Sequence, residues 1–442
     1  MDVLIGLLGE KEASKKIFDI LSIHQPFDYS GITTYDGNVH QKKGVESISK
    51  LFTEELREKL PGDVGIGCAG DVAELPKHLK TESEKLTYVS HNAQPEYIIN
   101  PFIGGAVKGK ITNWSESLRN LSPRSESQVQ PLLLNLKENL KHKRKIEMED
   151  VLEAAEKTMG KVKGVYSGIF ITDTSPTGED TIMFSLMDKY GITPLYLGER
   201  EDCFCFSSDQ ISLQKLGYKN VKEMEPGSVV LVNKKGEKRV EKIFESEKRP
   251  CIMNFIHTIE PNCKIGDKNV YTVRFEIGRK LFEKYPIETD VVCPIPERGK
   301  SYAEGFSYES GIFHTTGLIK VGEERKIGEP KKSIFIPNTP AIKNKNISLI
   351  DHNITENDTK SAIETLKESG AKEIHLYVAC PPIASPCRFG IKTSEYKAVE
   401  NKDVKRELGC DSVTWLEVDE LEKILGRVCT DCLVPKKGVS SQ

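Results

Sequence analysis

Ile347-Ser348-Leu349-Ile350-Asp351-His352-Asn353-Ile354-Thr355-Glu356-Asn357-Asp358-Thr359 is the stretch on which the fold turns. The apolar run 347–350 reads as a buried strand that ends on Asp351. Residues 359–368 carry helical spacing and close on Gly370, and 373–379 are a second buried strand. Strand, helix and strand in succession argue for a parallel sheet, whose ligands sit at the strand C-terminal ends. Asp351 and the residues after it stand at such an end.

Outward from there, residues 274–285 read as a helix and 290–295 as a strand of the same sheet. The charged segment 241–250, ending in Pro250, reads as a boundary. Before it the pattern differs. Strands are predicted at 3–8, 65–69, 96–100, 165–172, 181–187, 203–207 and 228–232, with helices at 13–21 and within 125–160. Strand-rich sequence around helices points to layered sheets capped by helices. The expected domains are 1–245 and 246–442.

The 442 residues include 38% hydrophobic and 29% charged side chains at a formal net charge of −3. That composition is globular and offers no broad basic surface for nucleic acid. The basic run Lys141–Lys145 reads as a solvated helix face. The run Val3–Leu8 is too short, and lacks the basic flank, for a signal peptide; no stretch approaches a membrane span. A cytoplasmic protein with no membrane partner is expected. Its eleven cysteines then read as buried thiols or metal ligands rather than disulfides.

Several motifs, in order along the chain, carry a resemblance. The first half has Asn92-Ala93-Gln94-Pro95, Met187-Asp188-Lys189-Tyr190-Gly191-Ile192-Thr193-Pro194-Leu195-Tyr196-Leu197-Gly198 and Glu225-Pro226-Gly227. The second half has Gly317-Leu318-Ile319-Lys320, Gly370-Ala371-Lys372-Glu373-Ile374-His375, Pro381-Pro382-Ile383 and Pro386-Cys387-Arg388-Phe389-Gly390-Ile391. Together they resemble the amidophosphoribosyltransferase family, in its iron–sulfur branch, across nearly the whole chain. The resemblance implies a mixed α/β and α+β protein: an N-terminal-nucleophile-type αββα glutaminase-like domain, followed by a type I phosphoribosyltransferase-like α/β domain.

In that family an N-terminal cysteine attacks glutamine, with its own α-amino group as base. Aligning Gly6 with the family's opening motif puts Asp2 at that nucleophile position, with Met1 expected to be retained. Gly70, beside Asp71, falls where an arginine should clamp the substrate carboxylate. Lys108-Gly109 replaces the Asn-Gly pair of the oxyanion hole, and loss of one donor there costs ~3–4 kcal/mol of transition-state stabilisation. Met187 replaces an arginine, while Asp188 is kept. No catalytic residue is therefore assigned, and glutaminase activity is not expected.

For the phosphoribosyl site, the resemblance implies two acids for ribose and Mg²⁺ and a loop cradling the 5′-phosphate. Asp351 and Thr359 fit; His352 stands at the second acid. Glu356 and Asp358 fall in the loop, where an acid about 5 Å from a phosphate charge costs ~3 kcal/mol at a dielectric of 20. They are tolerable there only if they turn outward or a metal ion intervenes. Glu297, Arg298, Gly299 and Lys300 occupy the pyrophosphate loop, so some phosphate or nucleotide small molecule is expected still to bind. The flag after Lys320 reads Glu323-Glu324-Arg325-Lys326 and lacks the expected aromatics.

Cys251, Cys387, Cys429 and Cys432 match the contexts in which the iron–sulfur branch holds a [4Fe–4S] cluster; zinc in the same four-thiolate cage is the alternative. Cys203 and Cys205 share one strand face and read as core. Cys263 and Cys380 read as packing, or as spare thiols near a cluster. Two functions follow: a non-glutaminase iron–sulfur paralogue with a binding, regulatory or repurposed role, or an ammonia-dependent phosphoribosyltransferase of purine metabolism. Either is expected to be a homo-oligomer by analogy.

Overall fold

The run Val3–Leu8 is a fully buried strand in a computed structural model that describes every residue except 1–2, 25–26, 47, 73–74, 325–326, 328–331, 356, 390–403 and 435–442. Asp2, Arg325, Lys326, Glu356, Gly390 and Ile391 therefore lie outside the described residues. The chain divides into two compact units, Met1–Arg249 and Pro250–Gln442, so the break falls after Arg249 rather than after residue 245.

The first unit is two antiparallel sheets face to face. The seven-stranded sheet runs Asn220–Glu223, Tyr196–Arg200, Cys203–Ser207, Val3–Leu8, Val64–Gly70, Tyr29–Tyr35 and Val39–Gly44. The six-stranded sheet runs Lys238–Lys242, Ser228–Asn233, Ile182–Met187, Gly164–Asp173, Phe102–Ile111 and Glu96–Ile98. Gly6 is where they meet most closely: a β-carbon there would stand 2.6 Å from Ile169 Cγ2. On the outer face of the first sheet lies the helix Ala13–Ile23, whose Ile17 occupies the space a Gly67 side chain would need. Helices Gln130–Leu140 and Met148–Lys161 bury Leu132, Leu133, Leu136 and Val151 with Phe170 and Phe184 of the second sheet. This is the expected αββα layering.

One expectation needs correction, and a strand of the second sheet was not predicted. The basic run Lys141–Lys145 is not a helix face; it follows the end of Gln130–Leu140 and forms an exposed turn. The strand Phe102–Ile111 went unread because Gly104-Gly105 looks like a turn. Gly105 is instead the flat spot that takes the Phe170 ring, 2.3 Å from where its β-carbon would be.

The second unit is built on a parallel sheet in the order Val291–Pro294, Asn346–Asp351, Glu373–Val378, Ser412–Trp415. Helices Val270–Lys284 and Lys300–Ser310 bury Ile277, Leu281, Tyr302 and Phe306 in one core. Helix Asp358–Glu368 buries Ala362, Ile363 and Leu366 in the other. A hairpin, Leu318–Glu324 with Lys332–Pro337, completes the unit. No helix among the described residues is long and apolar enough to cross a membrane.

Candidate functional site

In the first unit the strand register carries the site. Val3 pairs with Ala69, and Tyr29 pairs with Gly70, so the start of the first strand and Gly70 share one end of the sheet. Gln94 clamps the strand beside it: its amide donates to Val107 O at 3.1 Å and accepts from Val107 N at 2.8 Å. That fixes Lys108 and Gly109 opposite Ser167 and Tyr166. Gly109 has φ +123°, and a β-carbon would meet Val165 O at 2.1 Å, so only glycine fits. Met187 is fully buried. Asp188 accepts from Tyr166 N at 2.8 Å and Tyr190 N at 2.7 Å; burial pushes its carboxyl up to about 6. Asp188 is thus held as a loop staple by backbone donors.

In the second unit the strand Asn346–Asp351 delivers Asp351 into a fully enclosed position. Its Oδ1 accepts from His352 N at 2.7 Å and lies 2.6 Å from His352 Nδ1; its Oδ2 accepts from the Thr359 hydroxyl at 2.9 Å. The same hydroxyl accepts from Thr355 N at 3.0 Å. Burial pushes the Asp351 carboxyl up to about 6 against these bonds. His352 is pushed well below the ordinary imidazole range by burial, then by the charges of Arg298 and Arg274. Its ring stacks on His257, centroids 4.8 Å apart.

His257 comes from a π-helical turn, Asn254–Thr258. Arg274 holds that turn, donating to Phe255 O at 2.7 Å and Ile259 O at 2.6 Å. Nothing local in the sequence marks His257; about a hundred residues separate it from its stacking partner. Asn353 and Thr355 are inside the loop quoted first, and both are buried.

The remaining phosphate-side residues are placed as follows. Asp358 turns toward the hairpin, where its carboxylate accepts from Ser333 N at 2.7 Å and Ser333 Oγ at 3.0 Å. It therefore does not oppose a ligand in the loop. Gly299 is buried, with Ile350 O 2.3 Å from where its β-carbon would lie, so it serves close approach. Exposed Glu297 and Lys300 form an ion pair with each other, and Arg298 is exposed.

The four cysteines named as ligands converge. Backbone pairing brings Cys251 beside Cys429: Ile252 N donates to Cys429 O at 3.1 Å, and Cys429 N to Pro250 O at 2.9 Å. Ala384 N donates to Cys432 O at 2.8 Å, and Arg388 pairs with Asp431 at 2.8 Å. Burial, then Cys387 and Cys429, push the Cys432 thiol up to about 12. Burial, then Cys432, Cys429 and Cys387, push Cys251 up as well. Thiols that oppose one another's ionisation fit a cationic iron–sulfur centre, which would compensate four thiolates at once. Among the described residues no three or more His, Cys, Asp or Glu side chains form a group that could hold a metal ion. None of the eleven cysteines is in a disulfide. Cys205 is buried beneath its sheet, and Cys203 donates to Gly9 O at 3.2 Å. Cys380 is buried between the two sites, 3.7 Å from His352 O.

No family model matches the chain. It is 29% identical to the amidophosphoribosyltransferase of Methanocaldococcus jannaschii, over 93% of this chain and 91% of that protein. Two solved structures are similar. One, described as the allosteric regulatory enzyme of purine biosynthesis, has a TM-score of 0.83 at 22% identity, over 98% of this chain and 95% of that one. The other, the glutamine phosphoribosylpyrophosphate amidotransferase of B. subtilis complexed with ADP and GMP, has a TM-score of 0.80 at 23% identity, over 98% and 94%. These two show the fold.

Proposed function

The chain belongs to the amidophosphoribosyltransferase family, and on that premise we propose that it is an iron–sulfur member that binds a phosphate-bearing small molecule of purine nucleotide metabolism without hydrolysing glutamine. The observation that carries the reading is the convergence of Cys251, Cys387, Cys429 and Cys432 from distant segments. These four would hold a [4Fe–4S] cluster, which when bound supplies a four-point staple and no step of the reaction.

The glutaminase half rests on sequence and register. Asp2 precedes the first strand, a carboxylate is a far weaker acyl nucleophile than a thiolate, and Gly70 stands where a clamp is needed. Protein purified without oxygen is expected to contain about four iron and four sulfide per chain. A colourless protein with stoichiometric zinc overturns the cluster. Ammonia release from glutamine at an ordinary enzymatic rate overturns the second half.

One observation favours an alternative, ammonia-dependent phosphoribosyl transfer: Asp351 and Thr359 remain bonded at the strand end, and Gly299 keeps the close turn. Phosphoribosylamine formation from ammonia and Mg²⁺ would establish it.

A further inference from the structure

The strand Val39–Gly44 ends one sheet of the first unit, and Glu96–Ile98 ends the other. Residues of both strands, with one face of the helix Glu82–Asn92, wall a cavity of about 760 Å³. That is the size of ordinary small-molecule sites. Its charged groups are Lys43, Arg124 and Glu96, and its apolar ones are Val45, Leu86 and Tyr97. Gly70, Lys108 and Gly109 do not line it, so it is separate from the place where glutamine would be attacked. We propose that this cavity binds a free α-amino acid with an apolar side chain, its carboxylate held by Lys43 and Arg124 and its ammonium by Glu96.

Two opposite charges face this cavity without meeting. Glu96 is only 6% exposed, and its oxygens accept from neutral donors, the Ser125 hydroxyl at 2.6 Å and the Gln130 amide. A carboxylate has about four acceptor sites, so room remains for a charged donor. The Lys43 ammonium donates to Ala93 O at 2.6 Å and His91 O at 3.3 Å, which bring no negative charge, and it keeps a third N–H. Burial pulls this lysine below its ordinary range, against the attraction of Glu96. Among the described residues neither Lys43 nor Glu96 is in an ion pair. Buried charges are normally paired, so a cation and an anion left this way on one cavity match a ligand that carries both.

The tethers set where each charge goes. His91 donates through Nε2 to Arg124 O at 2.8 Å and accepts from Lys43 on its own carbonyl, so both cations are tied to one residue. Glu96 is tied to Ser125, the neighbour of Arg124. An α-amino acid holds its two charges on one carbon, which suits groups tied to adjacent residues. A dicarboxylate would set an anion against Glu96, and a simple amine would leave Lys43 without a counter-charge. The side chain meets the apolar wall, because the polar residues beside it are engaged. Gln41 donates to Thr33 Oγ1 at 2.8 Å and Pro95 O at 3.0 Å, and Thr87 donates to Ser83 O at 2.9 Å.

The test is calorimetric titration of the full chain with leucine, phenylalanine and glutamine, and with isocaproate and isoamylamine, which lack the ammonium and the carboxylate of leucine. Leucine or phenylalanine is expected to bind, the tighter of the two giving the side-chain class. Each truncated analogue should bind about 10- to 100-fold more weakly than leucine, the worth of one hydrogen bond to a charged group. Glutamine should be weaker by about 10-fold, for want of apolar contact. Glu96→Gln should lose leucine by about the same factor as the loss of its ammonium does, while isocaproate binds no worse, since the opposing carboxylate is gone. Arg124→Ala, at an exposed position, provides an independent loss should Glu96→Gln unfold. Isocaproate binding as tightly as leucine, leucine unchanged in folded Glu96→Gln, glutamine binding tightest, or no amino acid binding at all overturns the proposal. The cluster and the phosphate site, both in the second unit, are untouched by any of these results.

Discussion

Gly305 and Gly278 let two helices of the second unit touch backbone to backbone. A β-carbon on Gly305 would lie 1.9 Å from Phe275 O, and one on Gly278 2.0 Å from Tyr302 O. Main-chain carbonyls cannot swing aside as a side chain can. Gly305→Ala is therefore expected to destabilise the unit by about 1–3 kcal/mol, seen as a lower denaturant midpoint. Gly160→Ala is the control: nothing lies within 4 Å, and removing a helical glycine there should stabilise by up to ~1 kcal/mol. A second residue-scale consequence concerns protons. His352 and His257 are both held well below 6.5, chiefly by burial, so they stay neutral in the folded chain. Below that value the unfolded chain takes up protons that the folded one refuses, and stability falls with pH. Asp351, raised to about 6, works the other way, binding a proton in the folded state that the unfolded carboxylate releases. Two imidazoles outweigh one carboxyl. Between pH 7.5 and 5.5 the second unit should lose about 2 kcal/mol, by denaturation at each pH. Flat stability across that window would show that the imidazoles titrate normally.

At the scale of elements, the cysteine region is three pieces of chain joined by backbone hydrogen bonds: 250–252, 384–388 and 428–432. They contribute Cys251, Cys387, and the pair Cys429 and Cys432; burial first, and then the neighbouring thiols, push Cys251 and Cys432 up. Cys387→Ser and Cys429→Ser are expected to lower iron content sharply, whereas Cys410→Ser, buried in the other core of the unit, should leave it unchanged. Equal iron in all three would place the metal elsewhere. The strands and helices that position these residues were legible wherever one periodicity dominated, as in Val3–Leu8, Cys203–Ser207 and the Asp358 helix. Phe102–Ile111 was not, because a glycine pair that serves a neighbouring ring looks the same in sequence as one that serves a turn. Tyr29–Tyr35 is as buried as Val3–Leu8 but carries Ser30, Gly31, Thr33 and Thr34, so it offers neither an apolar run nor an alternation to read. Within the site, the Asp351 loop and the cysteine spacing were visible. The outward turn of Asp358 was not, because the Ser333 that takes it up lies on a hairpin whose approach no local pattern encodes. His257 was hidden for the same reason.

At the scale of the whole molecule, the four cysteine positions all fall in the second unit, so a staple there should act on one unit alone. The chain has two tryptophans, Trp114 in the first unit and Trp415 in the second. Trp114 Nε1 donates to Ser127 O at 3.2 Å, and Trp415 packs against the core that holds Ile347, Leu376 and Val378. Each therefore reports its own unit once the other is replaced by phenylalanine. A metal centre that joins residue 251 to residue 432 removes much of the unfolded chain's freedom, an effect of several kcal/mol for structural metals. In a unit of this size a kilocalorie moves the melting temperature by roughly 2–4 °C. Oxidative removal of the proposed cluster is then expected to lower the Trp415 transition by on the order of 10 °C in Trp114→Phe. The Trp114 transition in Trp415→Phe should move by much less, because none of its own unit's cores contains a ligand cysteine. Equal shifts would mean that the cluster stabilises both units together, and no shift at Trp415 would mean that the cysteines carry no staple.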